Sequence, residues 1–80
     1  MNTIEDNQNT YDEYLQKYSL VKILKNYNVS TIFATKYLLN EKYAKSEEDK
    51  NITIQDITFF QSHINEEELT NMFLNINKTN

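Results

Sequence analysis

The side chains able to do chemistry are few and scattered. His63 is the single histidine and there is no cysteine. No acid, thiol or second imidazole is arranged around His63 in the sequence. A nucleophile paired with a base, a glycine-rich phosphate loop and a metal-ligand spacing are all missing. No catalytic residue, metal site or cofactor is expected, and the chain does not read as an enzyme. Asp56 and Glu66, Glu67 and Glu68 read as helix-start residues, where a carboxylate favours the positive end of the helix dipole. The six tyrosines read as helix-face packing with their hydroxyls at the rim. What remains is charge. Every one of the eight basic residues is lysine. They gather in the middle of the chain: residues 17–45 carry Lys17, Lys22, Lys25, Lys36, Lys42 and Lys45 against Glu41 alone. Acidic ends flank this basic middle and bring the total to −4. Lysines commonly do no more than solvate a helix face. A concentrated block of them is also how a chain meets a polyanion.

The elements that would carry these residues are helices. Eighty residues with neither Gly nor Pro lack the punctuation of β-turns and hairpins. Such a chain predicts one all-α domain, a compact bundle of about five short helices. Residues 1–9 carry little apolar content and predict a flexible N-terminal tail. The domain spans residues 10–76, and residues 77–80 predict a frayed C-terminus. Thr10 is the expected cap of the first helix. Tyr11, Tyr14, Leu15 and Tyr18 lie on one face of it. That face stops at Ser19. The next apolar set, Leu20, Ile23, Leu24 and Tyr27, is rotated by about half a turn. Ser19 is therefore the cap of a second helix running to Tyr27. Further on, "AKSEEDKN" reads as a loop. Thr53 with Asp56 forms a capping box for a helix with Ile54, Ile57, Phe60 and Ile64 inward. Asn65 caps a last helix with Leu69, Met72, Phe73 and Ile76 on its apolar face. No apolar run approaches the ~20 residues needed to cross a bilayer. The acidic start is unlike a secretory signal. The chain reads as soluble and cytoplasmic.

Between the second and third helices stands "KNYNVSTIF". Asn28 is the expected left-handed stop, since Asn tolerates that conformation best after Gly. Val29 would plug the turn from below. Ser30 or Thr31 would cap a third helix with Ala34, Tyr37 and Leu38 inward. The unit covering residues 20–39 is thus a helix-turn-helix, whose second helix can enter the major groove.

At this stretch the chain resembles the lambda-repressor-like (Cro/repressor type) helix-turn-helix domains. "YSLVKILKNYNVSTIFATKYLLN" matches their pattern at Ser19, Ile23, Tyr27, Val29, Ser30, Ala34 and Tyr37. Leu24 stands where the family usually has Ala, and Asn28 where it has Gly. Leu20 stands where a DNA-contacting Gln is frequent, and the loop after Asn40 is longer. The resemblance implies a small transcriptional regulator, a repressor-type protein that binds duplex DNA as a homodimer. It implies that Ser30, Thr31, Ile32, Phe33, Thr35 and Lys36 face the groove. Lys22, Lys25, Lys36 and Lys42 would then pair with phosphates. Without arginine the commonest contact to guanine is missing, so an A·T-leaning site is expected. The last helix, with Met72, Phe73 and Ile76, is the expected dimer surface.

Ile32 and Phe33 keep a second reading open. They can face a groove, a partner or the core. An exposed Ile32–Phe33 patch ringed by acids would instead suit a protein-binding inhibitor or antagonist of a regulatory or host protein, whose acidic ends could imitate DNA.

Overall fold

The computed structural model describes residues 2–78, with side chains to Ile76. The chain is all-α. α1 is Gln8–Lys17 and α2 is Leu20–Asn26. α3 spans residues 31–38, α-helical over Thr31–Phe33 and π-helical over Ala34–Leu38. A 3-10 turn at Glu41–Tyr43 leads to α4 at Glu47–Lys50, α5 at Ile54–Phe60 and α6 at Glu66–Lys78. Two short strands, β1 (Asn2–Thr3) and β2 (Tyr27–Asn28), pair in parallel. Among the described residues, no helix is long and apolar enough to cross a membrane.

Hydroxyl and amide caps set the helix starts. The Ser19 side chain accepts from Lys22 N–H and that of Ser30 from Phe33 N–H. Thr53 and Asp56 form the expected reciprocal capping box. Asn65 accepts from Glu68 N–H at 2.9 Å. Each such cap satisfies a donor that the helix itself cannot and stabilises by about 1 kcal/mol. The first helix corrects the sequence reading: Asn7, not Thr10, is its cap and accepts from Thr10 N–H at 2.9 Å. An Asn three residues upstream caps as well as Thr and adds a turn. "AKSEEDKN" also departs from a plain loop, because Ser46 caps α4 within it.

The core centres on Phe33, Leu20, Ile23, Leu24, Leu38, Ile57 and Leu69. Phe33 sits between Tyr11 at 5.2 Å and Tyr37 at 5.0 Å, which fastens α1 to α3. α3 also packs on α2 and α6. No single helix here is long enough to persist alone, so this packing holds them.

Of the expected flexible tail, residues 1–9, the first lies outside the described residues and the rest is corrected. Asn2 and Thr3 align with Tyr27 and Asn28, and Ile4 N–H donates to Asn28 O at 2.9 Å. Ile4 lies in the core. One apolar residue suffices because the extended backbone of the α2–α3 link can pair with a neighbouring strand. At the other end, α6 continues through Lys78. The remainder of the expected frayed end, residues 79–80, lies outside the described residues.

Candidate nucleic-acid interface

The link from α2 to α3 is not the turn that Asn28 suggested. Among the described residues no non-glycine residue has a positive φ. Tyr27 leaves α2 extended, at φ −135° and ψ 145°, and Ser30 enters α3 at φ −81° and ψ 166°. An extended link exposes backbone groups that a left-handed cap would have paired. Gln61, wholly buried, supplies the missing partners. Its amide nitrogen donates to Leu24 O at 2.7 Å and Tyr27 O at 2.6 Å. Its oxygen accepts from Val29 N–H at 3.0 Å. His63 Nε2 lies 2.7 Å from Val29 O. One side chain therefore bridges the end of α2 and the approach to α3. Val29 is buried beneath the link, as its position in sequence predicts.

A second clamp holds the start of α2. Asp49 is 2% exposed and its carboxylate accepts from the backbone N–H of Leu20 at 3.1 Å, Val21 at 3.0 Å and Lys45 at 2.9 Å. Burial alone would raise its pKa. The three backbone donors and the Lys45 charge outweigh burial and hold the carboxyl below its usual range. Lys45 is committed elsewhere too, since its Nζ donates to Gln16 O and Tyr18 O at the end of α1.

Burial of Phe33, Ala34, Tyr37 and Leu38 fixes which face of α3 looks outward. Ile32 is 42% exposed and Lys36, one turn on, is exposed. Ser30 and Thr31 are half-buried at the helix start. Two residues expected to face a groove do not. Phe33 is fully buried in the three-ring cluster, as its apolar size favours. Thr35 is 3% exposed and its hydroxyl donates to Thr31 O at 3.1 Å and Ile32 O at 3.0 Å. Such back-bonding competes with the regular ladder. It coincides with the π-helical stretch, where Leu39 N–H reaches Ala34 O at 3.1 Å. The outward strip is thus Ser30, Thr31, Ile32 and Lys36.

The lysines are spread around this unit. Lys22 and Lys25 lie exposed on α2, with their ammonium groups 5.4 Å from the Tyr18 ring and 5.5 Å from the Phe60 ring. Lys42 is exposed on the 3-10 turn. Among the described residues the ion pairs are Lys17–Glu13 and Lys50–Glu47, so Lys22, Lys25, Lys36 and Lys42 are outside them. One acid intrudes. Asp6 accepts from Ser30 Oγ at 2.6 Å and from the Tyr11 hydroxyl. Burial and then Asp6 raise the Tyr11 pKa to about 12.

Met72, Phe73 and Ile76 are half-buried. Phe73 and Ile76 line a groove of about 380 Å³ against Tyr37, Leu39 and Tyr43 of the same chain. Comparison with protein-family models, curated proteins and solved structures gives no match for this chain. Gln61 had one sequence signal: a polar residue falls four after Ile57 and three before Ile64, on an inward face. Asp6 and Asp49 had none, since nothing in "EDNQ" or "SEEDK" separates them from their acidic neighbours.

Proposed function

We propose that the chain is a small DNA-binding regulator of repressor type, acting in the cytoplasm as a two-fold dimer without cofactor or catalysis. The observation that carries the reading is the amphipathic division of α3. Phe33, Ala34, Tyr37 and Leu38 lock it into the core, while Ile32 and Lys36 project one turn apart from a Ser-capped start. A helix so held can lie in a major groove. Ile32 can meet a thymine methyl and the Thr31 hydroxyl a base edge or phosphate. Lys22, Lys25, Lys36 and Lys42 flank it as phosphate contacts. With no arginine, A·T-rich duplex is the favoured target.

Four phosphate contacts give a salt slope of about −3.6 per protomer, so affinity falls about 150-fold between 50 and 200 mM salt. Fluorescence anisotropy with a library of A·T-rich duplexes tests this. Lys36→Glu should weaken binding at least about tenfold and flatten the slope by about one unit or more. No binding to any duplex at low salt removes the reading.

A second reading, a protein-binding antagonist of a regulatory or host protein, draws on one observation. Asp6 puts a negative charge at the start of α3, where a phosphate would approach. If Asp6 opposes DNA, Asp6→Asn tightens duplex binding. If it serves a protein partner, the substitution leaves duplex binding absent.

A further inference from the structure

Phe59 is 78% exposed, the most exposed of the large apolar side chains among the described residues. Its ring meets that of Phe60 edge-on at 5.1 Å. Phe60 in turn forms one wall of a groove of about 230 Å³, with Val21, Leu24 and Ile52 as its other apolar lining. The polar lining carries both signs of charge, Lys25 on α2 against Glu48 on α4 and Asp56 on α5. An aromatic knob thus stands beside an apolar groove on one face of one chain. A cavity of about 150 Å³ accepts a benzene ring, so the groove has room for one phenyl side chain.

We infer that this face pairs two copies of the chain across a two-fold axis, each Phe59 ring entering the groove of the other copy. Two arguments select a second copy over other occupants. Knob and groove adjoin through the Phe59–Phe60 ring contact, so a two-fold rotation can fill both at once, as an isologous interface requires. The rim is self-complementary as well: rotation can bring Lys25 of one copy toward Glu48 of the other. A nucleic acid or a uniformly charged peptide would meet a rim of mixed sign. An exposed aromatic over an apolar hollow is also the usual makeup of an interface anchor. The inference rests on the DNA reading in taking the chain as a dimer, and it moves Lys25 from the phosphate contacts to the pairing rim, which leaves three lysines per protomer and a salt slope of about −2.7 for DNA. It moves the pairing face from α6 to the α5–α2 side.

Sedimentation equilibrium of the full chain without DNA tests it. Wild type should show a monomer–dimer equilibrium. Phe59→Ser should weaken it at least about 100-fold, because symmetry removes the ring twice, with an unchanged helical spectrum since the ring is exposed. Lys25→Glu and Glu48→Lys should each weaken self-association, and their mixture should restore a heterodimer. A wild-type chain that stays monomeric up to millimolar concentration overturns the pairing, as does a Phe59→Ser chain that associates like wild type. DNA binding by a strict monomer removes the pairing and leaves the DNA reading. Pairing without DNA binding does the reverse.

Discussion

Replacing Gln61 by Leu tests the link between α2 and α3 most sharply. Leu keeps the apolar bulk, so little packing is lost. It strands Leu24 O, Tyr27 O and Val29 N–H, now paired at 2.6–3.0 Å. Each buried, unpaired backbone group costs about 1–3 kcal/mol. Relaxation lets water reach some of them, so a total of about 4 kcal/mol is expected. An 80-residue domain has about 4–12 kcal/mol in all, so the loss is a large fraction. At about 4–8 °C per kcal/mol for a domain of this size, the melting temperature should fall by roughly 15–30 °C. Far-UV circular dichroism in urea and on heating measures it, and hydrogen exchange at the Val29 amide localises it. Gln61→Glu adds a check on sign. Its carboxylate would face two carbonyls, so the folded-state pKa rises and the variant should be more stable at pH 5 than at pH 7. A Gln61→Leu melting temperature within a few degrees of wild type would refute the clamp.

Three further outcomes follow from the same contacts. Asp49→Ala should cost about 2–4 kcal/mol by leaving three backbone donors unpaired. Because the Asp49 pKa is lowered on folding, its contribution is present above the unfolded value near 4 and is lost as pH falls through the folded one; an acid titration of Asp49→Asn should lack that part of the decline. Tyr11, raised to about 12, contributes stability below pH ~10 that is lost as pH rises through the folded value; ultraviolet titration should show a late tyrosine that Asp6→Asn brings earlier. Ile4→Ala should destabilise by about 2–4 kcal/mol, as for a core residue; a loss under 1 kcal/mol would return the first residues to a loose tail.

How far the sequence disclosed this structure depended on the range of the interactions. Ser19, Ser30, Thr53 and Asn65 were legible because a cap and its N–H lie three residues apart. Val29 and the inward set of α3 were legible from helical period. The link conformation was not. Asn28 looked like a left-handed stop because that is the local solution for a chain without glycine. The actual solution uses β1 some 25 residues earlier and Gln61 more than 30 residues later, as the paired positions show. Of the expected DNA contacts, Ser30, Thr31, Ile32, Lys36, Lys22, Lys25 and Lys42 reach the surface at least in part. Phe33 and Thr35 do not. Phe33 shares the inward face of Tyr37 one turn on, but the ring that closes over it from the other side, Tyr11, comes from the distant α1 and left no local signal. Phe59 was hidden differently: in "TFFQ" one of two adjacent aromatics had to point outward, and Gln61 took the inward place expected of Phe60.

The most direct test of the central claim is a two-dimensional NMR titration of the ¹⁵N-labelled chain with an A·T-rich duplex at low salt. The amides of Ser30, Thr31, Ile32 and Lys36 should shift most, with Lys22 and Lys42 following, and added salt should reverse the shifts. Unchanged spectra, or shifts confined to α6 and the Phe59 face, would contradict it.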